Sequence, residues 1–236
     1  MSPRLPFWLE VPVALGALGT VLAMREPPQG HRLGRVSHFA EAWRIVRHTL
    51  WHHARLRAAV ALSVTLGLST FVMVWLIQPY MQSRGIQAAW FGPLGAVANL
   101  HVALMSLVST RVVDTIGRDR TLLACCLLIA LGYGTLAAST AAVAVVAYLS
   151  FMTTHGLQTP ILISALQRDA PPEACASVLW LNALMFRLGF VIIGPPVGIL
   201  VDRLGLEAAL AAIGLGFSAA TLGCLAMFRR AHAGVE

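Results

Sequence analysis

Apolar residues in this chain come in long unbroken runs, separated by short polar breaks. Seven runs, near 5–24, 58–81, 91–110, 121–139, 142–166, 177–201 and 207–228, each have room for the roughly 20 helical residues that cross a bilayer. A membrane β-barrel would instead show alternating segments of about ten residues. The expected fold is therefore an all-α membrane protein with seven transmembrane helices. The expected divisions are a first helix in 1–24, a cytoplasmic linker in 25–57, a six-helix unit in 58–228 and a tail in 229–236.

Within the linker, Phe39, Trp43, Val46 and Leu50 recur at three- and four-residue spacing, with Arg44, Arg47, His48 and His52 on other faces. That pattern predicts an amphipathic helix lying on the membrane surface. His48, His52 and His53 have no acid or cysteine partners nearby, so they read as a solvated or headgroup-facing tract rather than a metal site.

The most polar break is the hairpin RVVDTIGRDR, from Arg111 to Arg120, with Asp114, Gly117, Arg118 and Arg120. A second version, GILVDRLG, carries Gly198, Asp202, Arg203 and Gly205, its Asp and its turn glycine 88 residues after those of the first. Each lies after the second helix of a triplet, and alternation of helices puts them on opposite faces. A motif repeated in that way predicts that the last six helices are two inverted three-helix repeats.

Composition supports lipid as the solvent: 58% of the 236 residues are hydrophobic and 11% charged, with mean hydropathy +0.75. A net charge of +7 would suggest nucleic acid in a soluble protein. Here thirteen of the seventeen arginines (Arg25, Arg32, Arg35, Arg44, Arg47, Arg55, Arg57, Arg111, Arg118, Arg120, Arg168, Arg229 and Arg230) fall on one side if the helices alternate. Arg4, Arg84 and Arg203 fall on the other. This is the positive-inside bias; it predicts a multi-pass inner-membrane protein with a cytoplasmic C-terminus and no nucleic-acid partner. The four cysteines have no CxxC or Cys/His ligand spacing, so neither metal nor disulfide is expected.

The first hairpin resembles the cytoplasmic motif of the major facilitator superfamily, G-x-x-x-D-[RK]-x-G-[RK]-[RK]. Asp114, Gly117, Arg118 and Arg120 match; Thr110, Thr115 and Asp119 depart from it. The run Gly194, Pro195, Pro196, Gly198 before Asp202 looks like that superfamily's eleventh helix, and RLPFW followed by REPP is similar to its sixth. The resemblance implies helices six to twelve, with an N-terminal half absent from this chain, so that the partner would be that half or a second copy. It also implies secondary transport of a small molecule by alternating access, with efflux of a drug or metabolite the expected direction and no cofactor. In that family the Asp-centred cluster is a latch on the cytoplasmic side. A capping glycine in the left-handed region would make the turn, and the carboxylate would take charge-assisted bonds from arginine or a helix N-terminus. The alternative for Arg118 and Arg120 is simple topology anchoring.

Polar groups inside the spans are the remaining signal, since arginine at mid-bilayer costs about 2.5–3.5 kcal/mol on insertion scales. Arg187 stands near the middle of its helix. It holds an anionic substrate group or pairs with an acid or backbone carbonyls, and both readings stay open. Asn99, His101, His155, Gln158, Asn182 and Gln78 are the other candidates for a substrate cavity, each also able to serve as interhelical hydrogen-bonding glue. The spacing of Asn182 and Arg187 predicts different faces, and Gly189, Gly194 and Gly198 predict close helix approach. Apart from Glu10, and Glu207 at the very edge of the last run, no acid lies inside a run, so proton coupling would need a carboxylate from elsewhere or a histidine. Two rival functions remain. One is an intramembrane serine protease built on Ser69 and His155, for which Thr70 replaces an expected glycine. The other is a membrane fragment or assembly subunit without transport.

Overall fold

The computed structural model describes residues 11–12, 15–16, 18–20, 22–23, 53–138 and 141–233. The expected amphipathic linker helix lies outside them. The described residues of 11–23 are helical and exposed, and belong to a unit separate from the six-helix body.

Six helices make up that body: α1 Ala54–Ser83, α2 Phe91–Ile116, α3 Arg118–Ala138, α4 Ala141–Asp169, α5 Cys175–Leu204 and α6 Leu206–His232. Short 3-10 turns at Ala88–Trp90 and Pro172–Ala174 precede α2 and α5, and no strand occurs among the described residues. All but α4 are long and apolar enough to cross a membrane. The fourth is 29 residues long but carries Thr153, Thr154, His155, Gln158 and Thr159 in its middle.

The packing obeys a pseudo-twofold exchange of α1 with α4, α2 with α5 and α3 with α6. The self-related pairs α3–α6 and α1–α4 both pack extensively; α2–α4 is matched by α1–α5, and α3–α4 by α1–α6. Both hairpins follow the same rule. The expected loop 111–120 is almost wholly helical, for Gly117 alone separates α2 from α3, and Gly205 alone separates α5 from α6. Gly117 has φ +87° and ψ 151°, and Gly205 φ +76° and ψ 164°. These values correct the expectation of a left-handed cap: both lie in the extended positive-φ region that is essentially closed to residues with a Cβ. Each glycine N–H donates to the carbonyl four residues back, Val113 at 2.8 Å and Val201 at 3.0 Å, and each glycine carbonyl accepts from Thr121 or Ala209. Every one of these atoms has its counterpart 88 residues on. The Gly205 turn borders Ser83 and Arg84, just before α2 begins. Gly117 lies where α2 ends, about 39 Å away along 26 helical residues. The repeats are inverted.

Because lipid offers no hydrogen bonds, polar side chains in the interior are satisfied between helices. Tyr80 Oη donates to the Leu136 carbonyl at 3.0 Å, Tyr133 Oη to Ser69 at 2.7 Å, and Thr154 Oγ1 to Cys125 at 3.4 Å. Small residues let the crossings close: a Cβ on Gly156 would lie 2.6 Å from the Val102 carbonyl oxygen, and one on Gly189 2.7 Å from Leu68 Cδ1. Gly198 has nothing within 4 Å of that position and Gly194 only Phe190 at 3.9 Å, so the expected close approach holds at Gly189 and not at the GxxxG pair.

Alanine at Gly205 or Gly117 is expected to destabilise the bundle by about 1–3 kcal/mol, the usual cost of a side chain in a strained region. Thermal unfolding in detergent, followed by circular dichroism, should show a lower midpoint for each. Gly198→Ala should leave it unchanged.

Candidate functional site: a membrane cleft and a charged helix-end cluster

Close packing of α1 on α5 builds one wall of a cleft. Gly67 admits the ring of Phe186 and Gly189 admits Leu68, while Phe71 meets Phe186 and Phe190 edge-on at 5.3 and 4.9 Å. On the other side α4 and α5 touch over a short stretch only. Between them opens a space of about 320 Å³ whose polar lining includes His155, Gln158, Thr159, Asn182 and Arg187. Asn182 and Arg187 therefore share a cleft, contrary to the expectation of separate faces. A helix-wheel estimate assigns faces, but both sides of one helix edge border a broad cleft.

The cleft lies near the middle of α5. Arg187 is 12 positions into the 30-residue α5, about 18 Å from its start. Gln158 is 3% exposed and its Oε1 has no protein partner, nor has the buried Oδ1 of Asn182. A buried acceptor left unpaired costs about 1–3 kcal/mol, and two of them lie beside this one cleft. Arg187 itself is exposed and makes no hydrogen bond or ion pair among the described residues.

The other cavity candidates lie elsewhere. His101 Nε2 meets Thr153 Oγ1 at 2.7 Å, tying α2 to α4, and Asn99 Nδ2 donates to the Gly95 carbonyl of its own helix at 2.9 Å. Gln78 is exposed near the far end of α1. Among the described residues the protease reading finds no dyad. Ser69 is fully buried and its hydroxyl donates to the Leu66 carbonyl at 2.7 Å instead of reaching His155.

The Gly117 end of the bundle gathers charge. Asp114 is exposed and shares a small cleft with Arg118 and Arg168, making no bond of its own among the described residues. The bonds are made by a residue the motif reading counted as a departure. Asp119, in the first turn of α3, sits 3.6 Å from Arg118 and 3.7 Å from Arg229, and Arg229 Nη2 donates to its backbone carbonyl at 2.8 Å. His232 stacks on Phe228, and its two ring nitrogens meet the Phe228 carbonyl and Asp169 Oδ2, each at 2.9 Å. The guanidinium of Arg118 covers the same Phe228 ring at 5.2 Å. No sequence motif joins Asp119 to Arg229 or Asp169 to His232, which lie 110 and 63 residues apart. At the Gly205 end the pair Arg84 Nη2 to Glu207 Oε1 at 2.6 Å ties the end of α1 to α6, while Asp202 and Arg203 are exposed.

The family model for the Major Facilitator Superfamily matches residues 1–194. The chain belongs to that superfamily. It is accordingly a multi-pass membrane protein of a transporter family. No curated protein and no solved structure matches it.

Asp119 and Arg229 should couple weakly, because both are more than a third exposed. A double-mutant cycle with Asp119→Asn and Arg229→Gln is expected to yield about 0.2–1 kcal/mol, falling as salt is added.

Proposed function

We propose that the protein is a secondary transporter that carries a small organic anion through the cleft between α1, α4 and α5 by alternating access. The observation that carries this reading is Arg187 at mid-bilayer depth beside the unpartnered oxygens of Gln158 and Asn182. A lone guanidinium facing lipid is costly, but facing a water-filled cavity it attracts a carboxylate, sulfonate or phosphate. The two amide oxygens accept N–H or O–H groups of the same substrate, and Phe186 offers an aromatic face. Transport then requires no covalent step and no cofactor. Efflux is the proposed direction and the inner membrane the proposed location, with the C-terminus and the Gly117 end cytoplasmic; the arginines there obey the positive-inside bias.

A cleft with exposed Arg187 and His155 faces hydrocarbon unless something covers it. We therefore infer a second six-helix unit, either a preceding half or another copy, across the apolar faces of α2 and α5. Val97, Leu100 and Leu107 on α2 and Val191, Ile192 and Ile199 on α5 are all more than half exposed. Asp114, unpaired at the end of α2, is placed to take charge-assisted bonds from that unit and hold the cytoplasmic side shut. Arg118 helps seat it and Gly117 sets the turn, with Arg120 serving topology. The counterpart hairpin, Gly198 to Gly205 with Asp202 and Arg203, plays the matching structural role outside.

In reconstituted vesicles, Arg187→Gln is expected to raise the KM for an organic-anion substrate roughly ten- to hundred-fold, the equivalent of a lost charge-assisted hydrogen bond of about 1.5–3 kcal/mol. Arg187→Lys should recover part of it. Uptake that is unaffected by Arg187→Gln would end the anion reading, and the absence of any flux would favour a non-transporting assembly subunit.

His155 is the imidazole on the cleft lining, a side chain able to take up and release a proton, and it is the proposed proton carrier if flux is proton-driven. His155→Ala should then abolish pH-driven flux while His101→Ala, which removes an interhelical bond, lowers stability more than coupling. Equal pH-driven flux in both variants and the parent would refute a histidine carrier.

A further inference from the structure

The larger cleft at the Gly117 end, about 520 Å³, is not accounted for by transport through the membrane cleft. Arginines reach it from three helices: Arg55 at the start of α1, Arg118 and Arg120 at the start of α3, and Arg168 near the end of α4. Its two acids are already engaged, Asp169 by His232 at 2.9 Å and Asp119 by Arg118 and Arg229 at 3.6 and 3.7 Å. Among the described residues neither Arg120 nor Arg168 has a hydrogen bond or an ion pair, and Arg55 commits only its Nε, to the Ala231 carbonyl at 3.3 Å. Three guanidinium groups from separate helices thus converge on one concavity whose own two acids are both engaged; the unpaired Asp114 lies in the adjoining cleft, beside Arg168 alone of the three.

Such convergence is electrostatically unfavourable unless an anion fills it, and planar guanidinium forks match the oxygens of a phosphate. The cleft sits where three spans end and two begin, at the level of lipid headgroups, and its rim includes the apolar Val113 and Ile116, the latter 42% exposed. A free anion would gain nothing from that rim; an acyl-linked one would.

We propose that this cleft binds the phosphodiester headgroup of an anionic phospholipid, with Arg55, Arg120 and Arg168 as its ligands. The lipid neutralises the arginine cluster and bridges α1, α3 and α4 at the end where their charges would otherwise repel.

The test uses the full chain, purified in detergent and probed by native mass spectrometry with phosphatidylglycerol or phosphatidylcholine added. Phosphatidylglycerol should be retained about tenfold more than phosphatidylcholine, a difference of about 1.4 kcal/mol. The double variant Arg120→Gln/Arg168→Gln should lose that preference. Arg230→Gln, which removes an arginine from the same end but outside the cleft lining, should keep it. Should the double variant fail to fold, Arg168→Gln alone carries the same expectation at reduced size. Displacement of the lipid by inorganic phosphate at equal concentration would overturn the lipid assignment in favour of a free-phosphate site. Equal loss in Arg230→Gln and in the cleft variants, or no preference in the parent, would show diffuse surface charge and sink the proposal.

Discussion

The governing constraint is that hydrocarbon supplies no hydrogen-bond partner, so each polar group in the span must be paired within the protein or face a cavity. Backbone groups meet it through helices of 21 to 30 residues. Side-chain groups meet it through bonds between helices, such as Tyr133 to Ser69 and His101 to Thr153. Even the turns obey it. A longer loop would expose unpaired amides near the membrane, whereas a single positive-φ glycine lets α2 pass into α3 with the Val113 carbonyl and Thr121 amide both satisfied.

Among the described residues, the buried side-chain oxygens left over after this pairing lie at the cleft. Gln158 and Asn182 keep unpartnered oxygens and Arg187 keeps its charge, all on the lining of one space between α4 and α5. The two-fold arrangement explains why a space opens there. Helices related to each other across the axis pack tightly in the middle of the bundle, and α2 and α5 are pushed to its flanks with few buried residues. A bundle built by inverting one triplet onto another has a firm centre and two loosely held edges.

Inversion also lets two copies of one hairpin acquire different chemistry. The same glycine turn, offset by 88 residues, is surrounded at one end by Arg118, Asp119, Arg229 and His232, and at the other by the Arg84–Glu207 pair. The shared part is backbone geometry; the divergent part is charge, and charge decides which end collects arginines.

The six helices of the body, the inverted repeat and the gathering of arginines at one end were legible in the sequence because each depends on near neighbours or on a strict offset. Run length sets a span, and 88 residues set the hairpins in register. The candidate residues His155, Gln158, Asn182 and Arg187 were legible too, as polar groups that lipid penalises wherever they fall. Their grouping was not, and neither was the exclusion of Asn99, His101 and Gln78 from the cleft. A polar side chain in a helix advertises its cost but not its partner, and the partner depends on which helices cross. For the same reason Asp119 read as a broken motif until the fold brought Arg229 to it from 110 residues away. Local pattern determined the elements of this protein; only the crossing of the helices decided which polar groups would be satisfied and which would remain open.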